Sequence, residues 1–161
     1  VVRVKYWYSI VALLVAVGCS HDPRGPYEGQ RLPAVTGTLM QGGDFSSEAL
    51  TGKPSMLVFW ASWCGPCRQE APQVAKVSQE YGTTIDLIGV NAGEPVTVAQ
   101  RAASSMNISW PVVMDPEGSI QSAFKVTGIP LVLIADKDGV VRHRNNGVPS
   151  NVHRLLDGLV Q

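Results

Sequence analysis

The sequence has little charge and no surplus of either sign: 13 Lys and Arg face 13 Asp and Glu, and charged residues make up 16% of 161. A nucleic-acid protein would carry a basic excess or a basic stripe, and this chain has neither. It also lacks the roughly 20-residue apolar run that carries a helix across a bilayer. No internal repeat or low-complexity tract is present. Hydrophobic residues nevertheless reach 45%, too many for a disordered chain. The length suits one domain with a sizeable core that needs no metal or set of disulfides to hold it. With only three His and three Cys, the cysteines are the residues to explain.

Cys19 belongs to an address label. Arg3 and Lys5 form a basic n-region, and residues 10–17 are unbroken apolar sequence, too short to span and therefore a signal-peptide core. Ala16-Val17-Gly18-Cys19 resembles a bacterial lipobox, in which the Cys is lipidated and becomes the new N-terminus. It departs from that pattern at Ala16, where Leu is usual, and it also satisfies the Ala-x-small rule of an ordinary signal peptidase. The reading is a signal peptide over 1–18, then a lipidated Cys19 opening a tether over 19–31, rich in Gly, Pro and charge. A secreted free thiol is the alternative. The folded domain is expected over 32–161.

Cys64 and Cys67 carry the chemistry. Ser55-Met-Leu-Val-Phe-Trp60 follows a Gly-Lys-Pro breaker and reads as a buried strand. Ala61-Ser-Trp-Cys-Gly-Pro-Cys67 comes next, then helical sequence to about Glu80. A Cys-x-x-Cys that closes a strand and opens a helix is a redox motif, because the helix N-terminus favours thiolate over thiol. Cys64 is the expected nucleophile. Cys67, one turn in and expected to be more buried, can cyclise onto it. Pro66 suits the first turn, where its missing N–H costs nothing. The competing zinc reading needs four ligands, but Cys19 belongs to the leader, His21 lies on the tether, and His143 and His153 have no metal-like spacing to each other. A purely structural disulfide closing so small a loop would remove little chain entropy.

Phe59-Trp-Ala-Ser-Trp-Cys-Gly-Pro-Cys67 resembles the active-site segment of thioredoxins. Pro72 falls where that family has a helix-kinking proline. Gly128-Ile-Pro130 before the apolar run 131–135 matches its cis-proline segment, and Asp138-Gly139 its hairpin turn. Gly89-Val-Asn-Ala-Gly-Glu94, a helix, and Trp110-Pro-Val-Val-Met-Asp115 are similar to the central insert of the TlpA/ResA branch. The resemblance implies an α/β thioredoxin-like sandwich with a central mixed sheet, an N-terminal β-hairpin and a TlpA/ResA-type βα insert.

It also implies a membrane-tethered thiol–disulfide oxidoreductase on the periplasmic side of a bacterial envelope. A reductase of disulfide-bearing envelope proteins, such as apocytochrome c, is the first reading; an oxidase and a metal-binding thiol chaperone are the alternatives. The reductase would draw electrons from a DsbD/CcdA-type membrane donor and use no dissociable cofactor. Pro130 would present backbone groups to the substrate, and Trp60, Trp63, Pro66 and Ile129 would form the apolar rim. Thioredoxin's buried acid is absent, since Val58 occupies that position. Glu94 stands where the TlpA/ResA branch keeps a glutamate near the site, and it is expected to raise a cysteine pKa and accept the Cys67 proton. Its bland alternative is a solvated loop carboxylate. Leu131 replaces the more usual Thr after the proline.

Overall fold

The computed structural model describes residues 27–161. Cys19 and the proposed leader lie outside the described residues. Among the described residues seven strands form one sheet: β1 (Thr36–Leu39), β2 (Asp44–Ser46), β3 (Ser55–Trp60), β4 (Asp86–Ala92), β5 (Val112–Asp115), β6 (Leu131–Ala135) and β7 (Val141–Asn145). Their spatial order is β2-β1-β5-β4-β3-β6-β7. The inner trio β5-β4-β3 is parallel, while β1, β2, β6 and β7 pair antiparallel on its flanks. This is the α/β thioredoxin-like fold with a mixed sheet.

Strand β3 is buried throughout, and apolar after Ser55, because both of its faces are covered, as expected for a central strand. Leu57 and Phe59 pack on one face with Ile88, Val90, Val113, Leu131 and Leu133, beneath Ile120 and Phe124. Those last two come from and just after the short helix α3 (Ser119–Ala123). Met56 and Val58 face the other way, against Val74 and Val77 of α1 (Gly65–Tyr81) and Val152 and Leu156 of α4 (Val152–Asp157). Trp60 continues that face into a cluster with Ala99, Ala102 and Ala103 of α2 (Val96–Ser105). The small alanines let α2 approach the sheet edge beside the cysteines.

The start of the folded domain differs from the sequence expectation. Tyr27 to Arg31, assigned to the tether, already belong to the fold. Tyr27 is buried and its hydroxyl donates to the Ala123 carbonyl at 3.1 Å. Its ring lies under the Lys125 ammonium (5.2 Å) and the Arg144 guanidinium (5.3 Å), a cation–π arrangement. The Gly29 N–H donates to the Val141 carbonyl, the Val141 N–H to Gln30, and Arg31 bridges to Val140. These bonds cover part of the edge that β7 would otherwise leave open.

The expected N-terminal hairpin is present and short, with strands of four and three residues. After β2 the chain turns through a 3₁₀ segment, Ser47–Ala49, because serine side chains take over from the ladder. The Ser47 hydroxyl accepts from the Val35 N–H (2.9 Å) and donates to the Pro33 carbonyl (2.8 Å). At the far end, α4 begins at Val152, with Pro149 and Ser150 in the approach to it.

Candidate active site

Three strand ends deliver the site. Strand β3 runs parallel to β4 with Trp60 opposite Asn91, and antiparallel to β6 with Phe59 opposite Leu131. The residues just past Trp60, just past Asn91 and just before Leu131 therefore share one edge of the sheet. They are the cysteine loop, Glu94 and Ile129-Pro130. The Ile129–Pro130 peptide is cis.

Cys64 is the N-cap of α1, with extended backbone and Pro66 in the first turn. Its Sγ accepts the Cys67 N–H at 3.2 Å, so the helix spends an otherwise unpaired donor on the sulfur. The two cysteines form a disulfide with their Cα atoms 5.3 Å apart. Both cysteines are buried, Cys64 at 3% and Cys67 at 5% exposed, so burial does not set them apart as expected. In the disulfide the Cys64 sulfur lies over the first turn of α1, and both residues join the core cluster beneath α2.

The expected apolar rim divides. Trp63 is 70% exposed and Pro66 is exposed as well. Trp60, placed on that rim by the sequence, is 2% exposed and belongs to the core. It is the last residue of β3 on the face that carries Met56 and Val58, so it points under the helices. Ile129 is half-buried and packs against the core clusters on both sides of the sheet; Pro130 is half-buried.

Glu94 is buried, not a solvated loop carboxylate. It accepts the Ser62 N–H (2.8 Å), the Ser62 hydroxyl and the Asn91 side-chain amide (2.8 Å). Burial works to raise its pKa, but the bonds from Ser62 and Asn91, with Arg68 nearby, outweigh it and hold the carboxyl below its ordinary value. Held so, Glu94 is a weaker base than a free glutamate, which counts against the proton-accepting role expected of it. What it does is fix the loop two residues before Cys64. Arg68 grips the same residue from the other side, its Nε and Nη2 donating to the Ser62 carbonyl at 3.1 and 2.7 Å.

Sequence reasoning passed over Ser62, Asn91 and Arg68. Asn91 carried a readable signal, because a polar side chain ending the apolar stretch Leu87-Ile-Gly-Val90 must find a partner once buried. Ser62 and Arg68 carried none beyond their closeness to the cysteines.

The chemistry this arrangement supports is dithiol–disulfide exchange, and known proteins agree. The sequence matches the Redoxin family over residues 27–159. It is 31% identical over 150 residues to the thioredoxin-like protein YneN of Bacillus subtilis, covering 86% of this chain and 88% of that one. It is 28% identical over 134 residues to the thiol-disulfide oxidoreductase ResA of Geobacillus kaustophilus, covering 81% and 77%. Among solved structures it resembles a secreted Mycobacterium tuberculosis disulfide oxidoreductase homologous to E. coli DsbE. That match has a TM-score of 0.67 and 27% identity, and covers 78% of this chain and 93% of the other. With a strand-to-helix Cys-x-x-Cys beside a cis-proline, and matches along nearly all of the described residues, the chain belongs to the Redoxin family, as a thioredoxin-like thiol–disulfide oxidoreductase of the TlpA/ResA/DsbE type.

Proposed function

We propose that this oxidoreductase works outside the cytoplasm as a membrane-tethered reductase of envelope-protein disulfides. Cys64 attacks the client disulfide, a mixed disulfide forms, and Cys67 displaces the reduced client. Trp63 and Pro66, exposed beside the buried sulfurs, offer apolar contact to an extended client chain, and Pro130 lies where that chain would run. A membrane protein of the DsbD/CcdA type would return the enzyme to the dithiol form, and apocytochrome c is one candidate client. Among the described residues no helix is long and apolar enough to cross a membrane, so tethering rests on lipidation of Cys19.

The observation that carries the reducing direction is Glu94. Strong oxidants owe their potential to a well-stabilised thiolate. Here a buried carboxylate, held ionised by Ser62 and Asn91, keeps negative charge on the loop that leads into Cys64. Like charge disfavours the thiolate, which favours giving electrons away. The Gly65-Pro66 spacer, as in thioredoxin, points the same way.

Equilibrium titration against glutathione tests this. The expected potential lies near the thioredoxin value of about −270 mV, and Glu94→Gln should move it to a less negative value. A potential near about −120 mV would make the protein an oxidase.

A further inference from the structure

Tyr27 gathers two cations about one ring, the Lys125 ammonium and the Arg144 guanidinium. The guanidinium is tied in place, its Nη1 donating to the Phe124 carbonyl at 3.1 Å and its Nη2 to the Lys125 carbonyl at 3.0 Å. Other N–H donors of its planar fork remain for a ligand. The ring attracts each cation, yet the two like charges still repel one another. Among the described residues the ion pairs join Arg142 to Asp136 and His153 to Glu80, and include neither Lys125 nor Arg144. Glu28 accepts the main-chain N–H of Arg144 at 3.3 Å and does not line the cleft that the two cations share. Lys125 has a φ of 46°, in the left-handed region that a long side chain rarely adopts and that glycine enters freely. A charged side chain is kept here at a backbone position that favours having none.

The cleft is open, about 470 Å³ in volume, and its other walls are Thr127, Leu131, Asn145 and Asn146. Leu131 begins β6 directly after Pro130, and Asn145 ends β7 opposite Val132. The cleft therefore opens at the end of the sheet that carries the cysteine loop. Thr127 and Gly128, both exposed, join it to Ile129-Pro130. We propose that this cleft selects client chains with an acidic residue close to the cysteine under attack, its carboxylate docking against Lys125 and Arg144. An extended chain advances about 3.3 Å per residue, so a client cysteine held beside Pro130 places its neighbours over Thr127 and the cleft within about four residues. That continuity favours a carboxylate delivered by the client itself over a free anion or a lipid headgroup. Burial holds the Arg144 guanidinium below its ordinary pKa, and a partly desolvated cation gains more from an opposite charge than an exposed one does.

This selectivity rests on the reading of the protein as a reductase of client disulfides, and the test separates the two. Short peptides carry one central cysteine activated as an aryl disulfide, with Glu, Gln or Lys at the positions flanking it on one side or the other. Attack by Cys64 on the peptide sulfur releases the coloured aryl thiolate, and stopped-flow mixing with the reduced full chain gives the rate. The parent should react about fivefold faster with the Glu peptide than with the Gln peptide, and slowest with the Lys peptide. The preference should hold on one side of the cysteine only and fade at high salt. Lys125→Glu should invert the ranking and Lys125→Gln should flatten it; because each variant is compared across its own peptides, a general loss of activity cannot imitate either result. A parent that attacks none of the peptides would sink the client-reduction reading itself. A parent that attacks all of them at one rate, or a ranking unchanged in Lys125→Glu, overturns the selectivity alone. A flat ranking together with Lys125 resonances shifted by phosphatidylglycerol vesicles would make the cleft a lipid contact, and would overturn it as well.

Discussion

Glu94→Ala is the substitution whose cost the structure lets one work out. The carboxylate accepts three bonds, two from Ser62 and one from Asn91. Asn91 is fully buried and its Oδ1 already has no partner, so the variant would leave its whole amide unpaired. The Ser62 N–H would lose its acceptor too, while the Ser62 hydroxyl can turn to solvent. A buried donor left unpaired costs about 1–3 kcal/mol, so two orphaned donors should cost about 3 kcal/mol. The unfolding entropy of a domain of about 135 residues is about 0.28 kcal/mol/K, which converts that cost to a fall in melting temperature of about 10 °C.

Glu94→Gln behaves differently. Its Oε1 can occupy the place of the oxygen that serves both the Ser62 N–H and Asn91, so only charge assistance is lost. That is about 1 kcal/mol, or about 4 °C. The sign of the pH dependence follows from the depressed carboxyl. The stability Glu94 supplies is present above its ordinary value of 4.5 and is lost as pH falls through the lower folded value. The gap between the parent and Glu94→Gln should therefore narrow below about pH 4.5. Thermal melts of the oxidised proteins followed by circular dichroism give all of these quantities. A melting temperature for Glu94→Ala within about 2 °C of the parent, or Gln as damaging as Ala, would refute the reasoning.

Other outcomes follow from the same geometry. Trp63→Ala should weaken client binding, seen as a raised KM in protein-disulfide reduction, with little change in melting, because the side chain is 70% exposed; Trp60→Ala should instead cost about 3–5 kcal/mol in urea unfolding, as a core aromatic does. Asp136 is held below its ordinary carboxyl value: burial opposes this, but the Val140 and Asp138 N–H groups and the Arg142 guanidinium prevail. Asp136→Asn should thus lose stability at neutral pH and converge with the parent in acid, as read by chemical denaturation across pH. The Tyr81 hydroxyl is pushed up to about 12, first by its hydrogen bond to Asp157, so an ultraviolet titration should show one tyrosine ionising late and Tyr81→Phe should abolish that step.

The sequence spoke most clearly where one residue type admits few environments. An apolar run between breakers had to be a central strand, and Cys-x-x-Cys at its end had to open a helix. Asp138-Gly139 had to turn a hairpin; its glycine indeed has a φ of 72°. Trp60 was misplaced because alternation along a strand buried on both faces gives no inside or outside to read. Tyr27 was misplaced because its partners, Ala123, Lys125 and Arg144, lie about a hundred residues away. Glu94 was found by resemblance, but its partners and the direction of its pKa depended on a loop-to-loop contact across 32 residues.

The most direct test of the central claim is trapping of the mixed disulfide. The reduced Cys67→Ser and Cys64→Ser chains are each mixed with a disulfide-bearing client protein, quenched in acid and resolved without reductant. The account predicts a client adduct through Cys64 that accumulates in Cys67→Ser, while Cys64→Ser yields none. An adduct that forms through Cys67 in Cys64→Ser, with none in Cys67→Ser, would contradict it.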